Sequence, residues 1–168
     1  TLGWLIPPVS MLLSPVLGLS LSMRYAGALW GEVAFYASLF FLGAGSLLFL
    51  LMMATVFTRS IFYAPPPAPL APTLWVGVAP PSILTIVALR IVAPVQSHLA
   101  VSQQVAETFS LLAKVSGAAL WGFALFWMML ALLATLETHR RTPLPFALSW
   151  WAFIFPVGVF TVASGMLY

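Results

Sequence analysis

The chain has 168 residues, 62% of them hydrophobic and 5% charged, with six Lys or Arg against three Asp or Glu and no cysteine. Soluble domains carry about 25% charged residues, so this composition excludes a soluble globular protein. It also leaves no basic stripe for nucleic acid and no thiol for disulfide, metal or redox chemistry.

Apolar runs long enough to cross a bilayer recur along the chain. They predict an all-α fold: a polytopic transmembrane helical bundle of about five spans, all within one transmembrane domain covering 1–168. The first span is expected at 2–22 and contains Pro7, Pro8 and Pro15; the second, at 29–57, has no proline. The proline-rich run 64–69 predicts a stiff extended connector. The third span, at 72–92, carries Pro80 and Pro81 in its middle. Pro94 to Ala106 is the most polar stretch and reads as a loop with some helix. The fourth span, at 107–136, is again proline-free, and the fifth, at 144–168, contains Pro156. The chain opens on Thr1 rather than Met and stops at Tyr168 within an apolar run, so a segment of a longer protein is expected.

Three cations (Arg59, Arg140 and Arg141) fall in the second and fourth loops. Arg24 lies in the first loop, and Arg90 and Lys114 sit just inside neighbouring spans. The positive-inside rule then places the second and fourth loops in the cytoplasm. Trp30, Trp75, Trp150 and Trp151 lie near span ends, where indoles prefer the headgroup layer.

A repeat runs through the odd spans. Trp75 precedes Pro80 by five residues, Trp151 precedes Pro156 by five, and Trp4 precedes Pro8 by four. An interior proline removes one backbone hydrogen bond and clashes with the carbonyl four residues back, at about 3 kcal/mol. Helical hairpins of one kinked and one straight helix are therefore expected, with the kinks (Pro8, Pro15, Pro80, Pro81, Pro156) brought to a shared axis. Routine tolerance of proline in membrane helices is the competing account.

Catalysis has little to build on. Glu32, Glu107 and Glu137 lie at span ends, and His98 and His139 lie in loops. No metal-ligand spacing, nucleophile elbow or phosphate loop is present. No enzyme activity, metal or cofactor is expected. Gly43-Ala44-Gly45 lacks the strand–turn–helix setting of a nucleotide site and reads as close helix packing. No acid lies deep in a span, which disfavours a cation path. Arg90 and Lys114 either snorkel to the interface or raise the positive potential at an outer mouth, where anions would gather.

A pore for anions with few charges relies on kinked backbone, small residues and hydroxyls. Ser10, Thr85, Thr161 and Gly158 are candidates to line it. In the last span Trp151, Phe155, Gly158, Val162 and Gly165 fall on one stripe. Phe155, directly before Pro156, is the candidate plug; ordinary packing is the alternative.

The run Trp150-Trp151-Ala152-Phe153-Ile154-Phe155-Pro156 resembles the penultimate-helix motif of the tellurite-resistance/dicarboxylate transporter family, which includes slow-anion channels and malate and sulfite transporters. Pro72-Thr73-Leu74-Trp75-Val76-Gly77-Val78-Ala79-Pro80-Pro81 is similar to its seventh-helix motif. Gly3-Trp4-Leu5-Ile6-Pro7-Pro8-Val9 is similar to the start of its fifth helix. The resemblance covers the whole chain and implies the C-terminal half of a ten-helix, quasi-five-fold pore. It implies a homotrimer of independent pores in membrane lipid, expected in a bacterial inner membrane. It implies small anions as cargo (a C4-dicarboxylate such as malate, sulfite, nitrate or chloride) and a phenylalanine gate, here Phe155. A membrane scaffold or assembly subunit and a proton-coupled anion exporter are the competing functions.

Overall fold

The computed structural model describes residues 2–63 and 67–168. Six α-helices follow in order: α1 (Ile6–Arg24), α2 (Leu29–Phe62), α3 (Ala79–Arg90), α4 (Val92–Leu99), α5 (Gln103–Arg141) and α6 (Trp151–Leu167). Short 3-10 helices at Leu2–Leu5, Ala68–Val78 and Leu148–Trp150 lead directly into α1, α3 and α6. Five helical stretches are long and apolar enough to cross a membrane: Ile6–Arg24, Leu29–Phe62, Ala68–Arg90, Gln103–Arg141 and Leu148–Leu167.

The prolines explain much of this winding. Pro7 and Pro8 fall in the first turn of α1, and Pro80 and Pro81 in the first turn of α3. There the missing N–H has no intrahelical acceptor to abandon. Pro15 and Pro156 are the prolines that lie inside an α-helix. The expected interior kink at Pro8, Pro80 and Pro81 is therefore a change of winding, from 3-10 to α, with proline just past the junction.

The 3-10 segment Ala68–Val78 has 11 residues, where runs beyond three or four are uncommon. Two of its carbonyls have outside partners. Pro72 cannot donate to Pro69 O, and Ser149 Oγ donates there instead at 2.6 Å. Trp127 Nε1 donates to Leu74 O at 2.9 Å. Part of the proline-rich connector expected at 64–69 lies outside the described residues. Its last two residues, Ala68 and Pro69, open the 3-10 helix rather than continuing an extended connector. The polar stretch from Pro94 also departs from expectation. It forms most of α4, ends at Ala100 in the left-handed region (φ 48°), and gives way to α5 at Gln103.

α1 packs along α2 as an antiparallel hairpin. The buried positions of α2 are Gly31, Phe35, Ser38, Gly45, Phe49 and Met53, a helical stripe of small and large residues. A Cβ on Gly45 would crowd Leu12, so the close packing expected of the glycine pair falls to Gly45, while Gly43 faces open space. α5 turns a similar seam inward: Ala106, Ala113, Gly117, Ala124, Trp127, Ala131 and Thr135. Small residues let backbones approach where lipid removes the hydrophobic drive for helix association. α3 occupies the middle, touching α1, α5 and α6. Its buried residues, with Phe35, Leu12 and Trp127, form the core.

Candidate functional site

An open groove of about 400 Å³ runs between α1, α3 and α6. α1 supplies Leu13 and Val16, and α3 supplies Ile83 and Ile86. α6 supplies Ile154, Phe155, Gly158, Val159 and Val162. Every wall residue belongs to a proline-bearing span. Each span presents a pair three residues apart: Leu13 and Val16 around Pro15, Ile83 and Ile86 after Pro81, Phe155 and Gly158 around Pro156. That spacing keeps both members on one helix face.

Pro15 and Pro156 are themselves buried. Their missing N–H groups leave the carbonyls of Met11 and Ala152 without the usual helical donor. In hydrocarbon such a carbonyl needs a neighbour or a cavity.

Phe155 is 43% exposed and forms part of the groove wall. Trp151, Phe155, Gly158, Val162 and Gly165 are all exposed, so the stripe read from the sequence is a single open face of α6. Among the described residues nothing stands within contact distance of a Cβ at Gly158. α6 is held from its other side. Trp121 Nε1 of α5 donates to Ser164 Oγ at 2.8 Å, and the rings of Trp75 and Phe153 meet edge-on at 5.2 Å.

The hydroxyls expected along the lumen are placed differently from one another. Ser10 and Thr161 are exposed and donate within their own helices, to Ile6 O and Val157 O. Neither belongs to the groove wall. Thr85 is fully buried; its Oγ1 donates to Pro81 O at 3.0 Å and approaches Gly117 O at 3.2 Å. It fastens α3 to α5 and does not face the groove. Pro80 and Pro81 are buried at the head of α3. Arg90 ends α3 and Lys114 lies along α5; both are exposed and, among the described residues, neither forms an ion pair.

Two features were not legible in the residue pattern. The aliphatic walls Leu13, Val16, Ile83 and Ile86 look like ordinary core; only their shared spacing with Phe155 and Gly158 marks them. The sequence pattern places His98 in a loop, whereas it lies in the last turn of α4. Its side chain is 2% exposed, and Nδ1 lies 3.0 Å from Glu32 Oε1. Among the described residues no group of three or more His, Cys, Asp or Glu side chains comes together.

A family model described as voltage-dependent anion channel matches residues 1–168. Two uncharacterized transporters of Methanocaldococcus jannaschii are each 34% identical over 166 residues, 99% of this chain and 46% and 45% of their own length. The chain thus spans about half the length of these relatives. A sulfite efflux pump of Arthroderma otae is 38% identical over 58 residues, 34% of this chain and 14% of the pump. No solved structure matches the chain with significance.

Proposed function

The chain belongs to the voltage-dependent anion channel family, and from that premise we propose that the protein passes small anions across a membrane, with the groove between α1, α3 and α6 as part of the pore wall and Phe155 as its plug. One observation carries this reading. Among the described residues the groove is walled only by the proline-bearing spans, and Phe155 stands in it beside Pro156. An apolar constriction of this kind gates by excluding water, and a phenylalanine ring fills what small residues leave open. Gly158, one turn further, leaves room for that ring to swing. Exposed Arg90 and Lys114 raise the potential at one mouth and concentrate anions there.

The similarity to sulfite efflux pumps makes sulfite the first anion to test, followed by malate, nitrate and chloride. A homotrimer in a prokaryotic plasma membrane, with the ends of α2 and α5 in the cytoplasm, completes the proposal. A proton-coupled exporter is the second reading, favoured by the same efflux pumps.

The test is flux of these anions through the full-length protein in liposomes, wild type against Phe155→Ala. Removing the ring raises flux several-fold without a proton gradient if the pore is plugged. Flux that appears only with an imposed gradient moves the assignment to the exporter. Well-folded protein without flux under any gradient refutes both.

A further inference from the structure

We infer that Trp121 is a positioning residue: its indole N–H, bonded to Ser164, sets the rotation of α6 about its own axis and so holds the Phe155 ring in the groove. α6 has two faces. Phe153, Phe160 and Ser164 recur at spacings of seven and four, so they share one face. Phe155 stands nine residues before Ser164. At about 100° per residue that is about half a turn beyond two full turns. Phe155 therefore leaves the helix opposite the bonded face, on the side of Gly158 and Val162.

The bonded face is gripped on both sides of the proline. Before Pro156, the ring of Trp75 meets Phe153 edge-on. After it, Trp121 of α5 stacks on Phe160, centroids 5.4 Å apart and planes 18° apart, and its Nε1 donates to Ser164 Oγ. Among the described residues this is the one hydrogen bond between α5 and α6. Pro156 removes a backbone bond from the turn between the two grips. Backbone alone therefore fixes the rotation of one half of α6 against the other less firmly than in an unbroken helix. The outside contacts supply what is lost, and Phe155 stands between them.

The hydroxyl is prepared for the indole. Ser164 Oγ donates to Phe160 O at 2.8 Å, which commits its one hydrogen and leaves lone pairs. An indole N–H only donates, so the pair fits in one direction. The same device recurs where Trp75 Nε1 donates to Thr135 Oγ1, which donates to Ala131 O at 2.7 Å. α5 is thus the common frame: Trp75 ties the 3-10 segment to it, and Trp121 ties it to α6. Stacked rings hold over a range of offsets, whereas a hydrogen bond weakens steeply as it misaligns. The Trp121 ring supplies adhesion and its N–H supplies the angle. The effect on flux rests on the permeation reading; the rotation of α6 does not.

The experiment has two arms on the full-length protein in liposomes. Trp121→Phe keeps a ring on Phe160 and removes the donor; Ser164→Ala keeps the indole and removes the acceptor, and carries the test alone if Trp121→Phe fails to fold. In the first arm, sulfite and chloride flux are measured with Phe155 present and in a Phe155→Ala background. Each variant raises flux several-fold when Phe155 is present and leaves it unchanged in Phe155→Ala, where no ring remains to be held. An equal change in both backgrounds overturns the inference, because a merely structural role would act on both. In the second arm, spin labels are placed at Thr161→Cys on α6 and Leu133→Cys on α5, both exposed, with cysteines elsewhere in the protein changed to serine. Double electron–electron resonance gives a narrow distance distribution in the parent and a broader or shifted one in both variants. An unchanged distribution overturns the inference. Phe155→Ala without flux of either anion refutes permeation instead, and the distances then decide the rotation.

Discussion

Residues 68–90 and 148–167 both open as a 3-10 helix, and both carry a tryptophan five residues before a proline. Yet 67% of the membrane window is buried in the first and 11% in the second. The difference lies in the neighbours. α3 is enclosed by α1, α5 and α6, whereas α6 leans on α3, α5 and the 3-10 segment before α3 and leaves its other face open. The same local device therefore serves two ends. In the enclosed copy it places Thr85 and Ser82 where their hydroxyls join the packing. In the open copy it presents Phe155 and Gly158 to the groove. Proline and tryptophan set the winding; the company a helix keeps decides whether a residue is filler or wall.

Matched substitutions in the two spans, or in a residue packed against one of them, sharpen that contrast. The largest gap is expected between glycines. A Cβ at Gly77 would run into the Trp127 indole, while Gly158 meets nothing. Gly77→Val should cost about 3 kcal/mol, through overpacking and loss of the Trp127 bond to Leu74 O. Gly158→Ala should be neutral or stabilising by about 0.5 kcal/mol. Thermal unfolding in detergent separates the two, and equal losses would break the comparison. Next come the isoleucines. Ile83 is fully buried and Ile154 is 64% exposed. Ile83→Ala should cost about 2–3 kcal/mol for the cavity it leaves, and Ile154→Ala under about 1 kcal/mol. The smallest effect concerns hydroxyls. Thr135 Oγ1 accepts the indole N–H of Trp75 at 3.0 Å; Thr161 bonds its own helix. Thr135→Val should lose about 1–2 kcal/mol by orphaning that N–H, and Thr161→Val about none.

The number and order of the spans follow from apolar run length, because hydrocarbon demands that a crossing segment satisfy its own backbone. The stripe on α6 was legible too, since Phe155 and its neighbours recur at helical spacing with a small residue among them. The placement of Thr85 was not. A threonine in a membrane helix reads the same whether it faces water or a neighbouring carbonyl; Gly117, 32 residues away, decides it. The 3-10 winding was hidden for a similar reason. Proline announces a missing donor, but the carbonyl's new partner (Ser149 for Pro69, Trp127 for Leu74) comes from distant sequence. His98 looked like a loop residue because its stack on Phe35 and its pairing with Glu32 are tertiary.

The winding of residues 68–78 also sets how far the chain travels. A 3-10 helix rises about 2.0 Å per residue and an α-helix 1.5 Å. Eleven residues therefore reach ~22 Å where α winding would reach ~16 Å. The segment therefore carries the chain about one α-helical turn further along the span than the same residues would as α-helix. The indole of Trp127, bonded to Leu74 O, holds the middle of that stretch, and the added length sets the depth at which Pro80 and Pro81 begin α3.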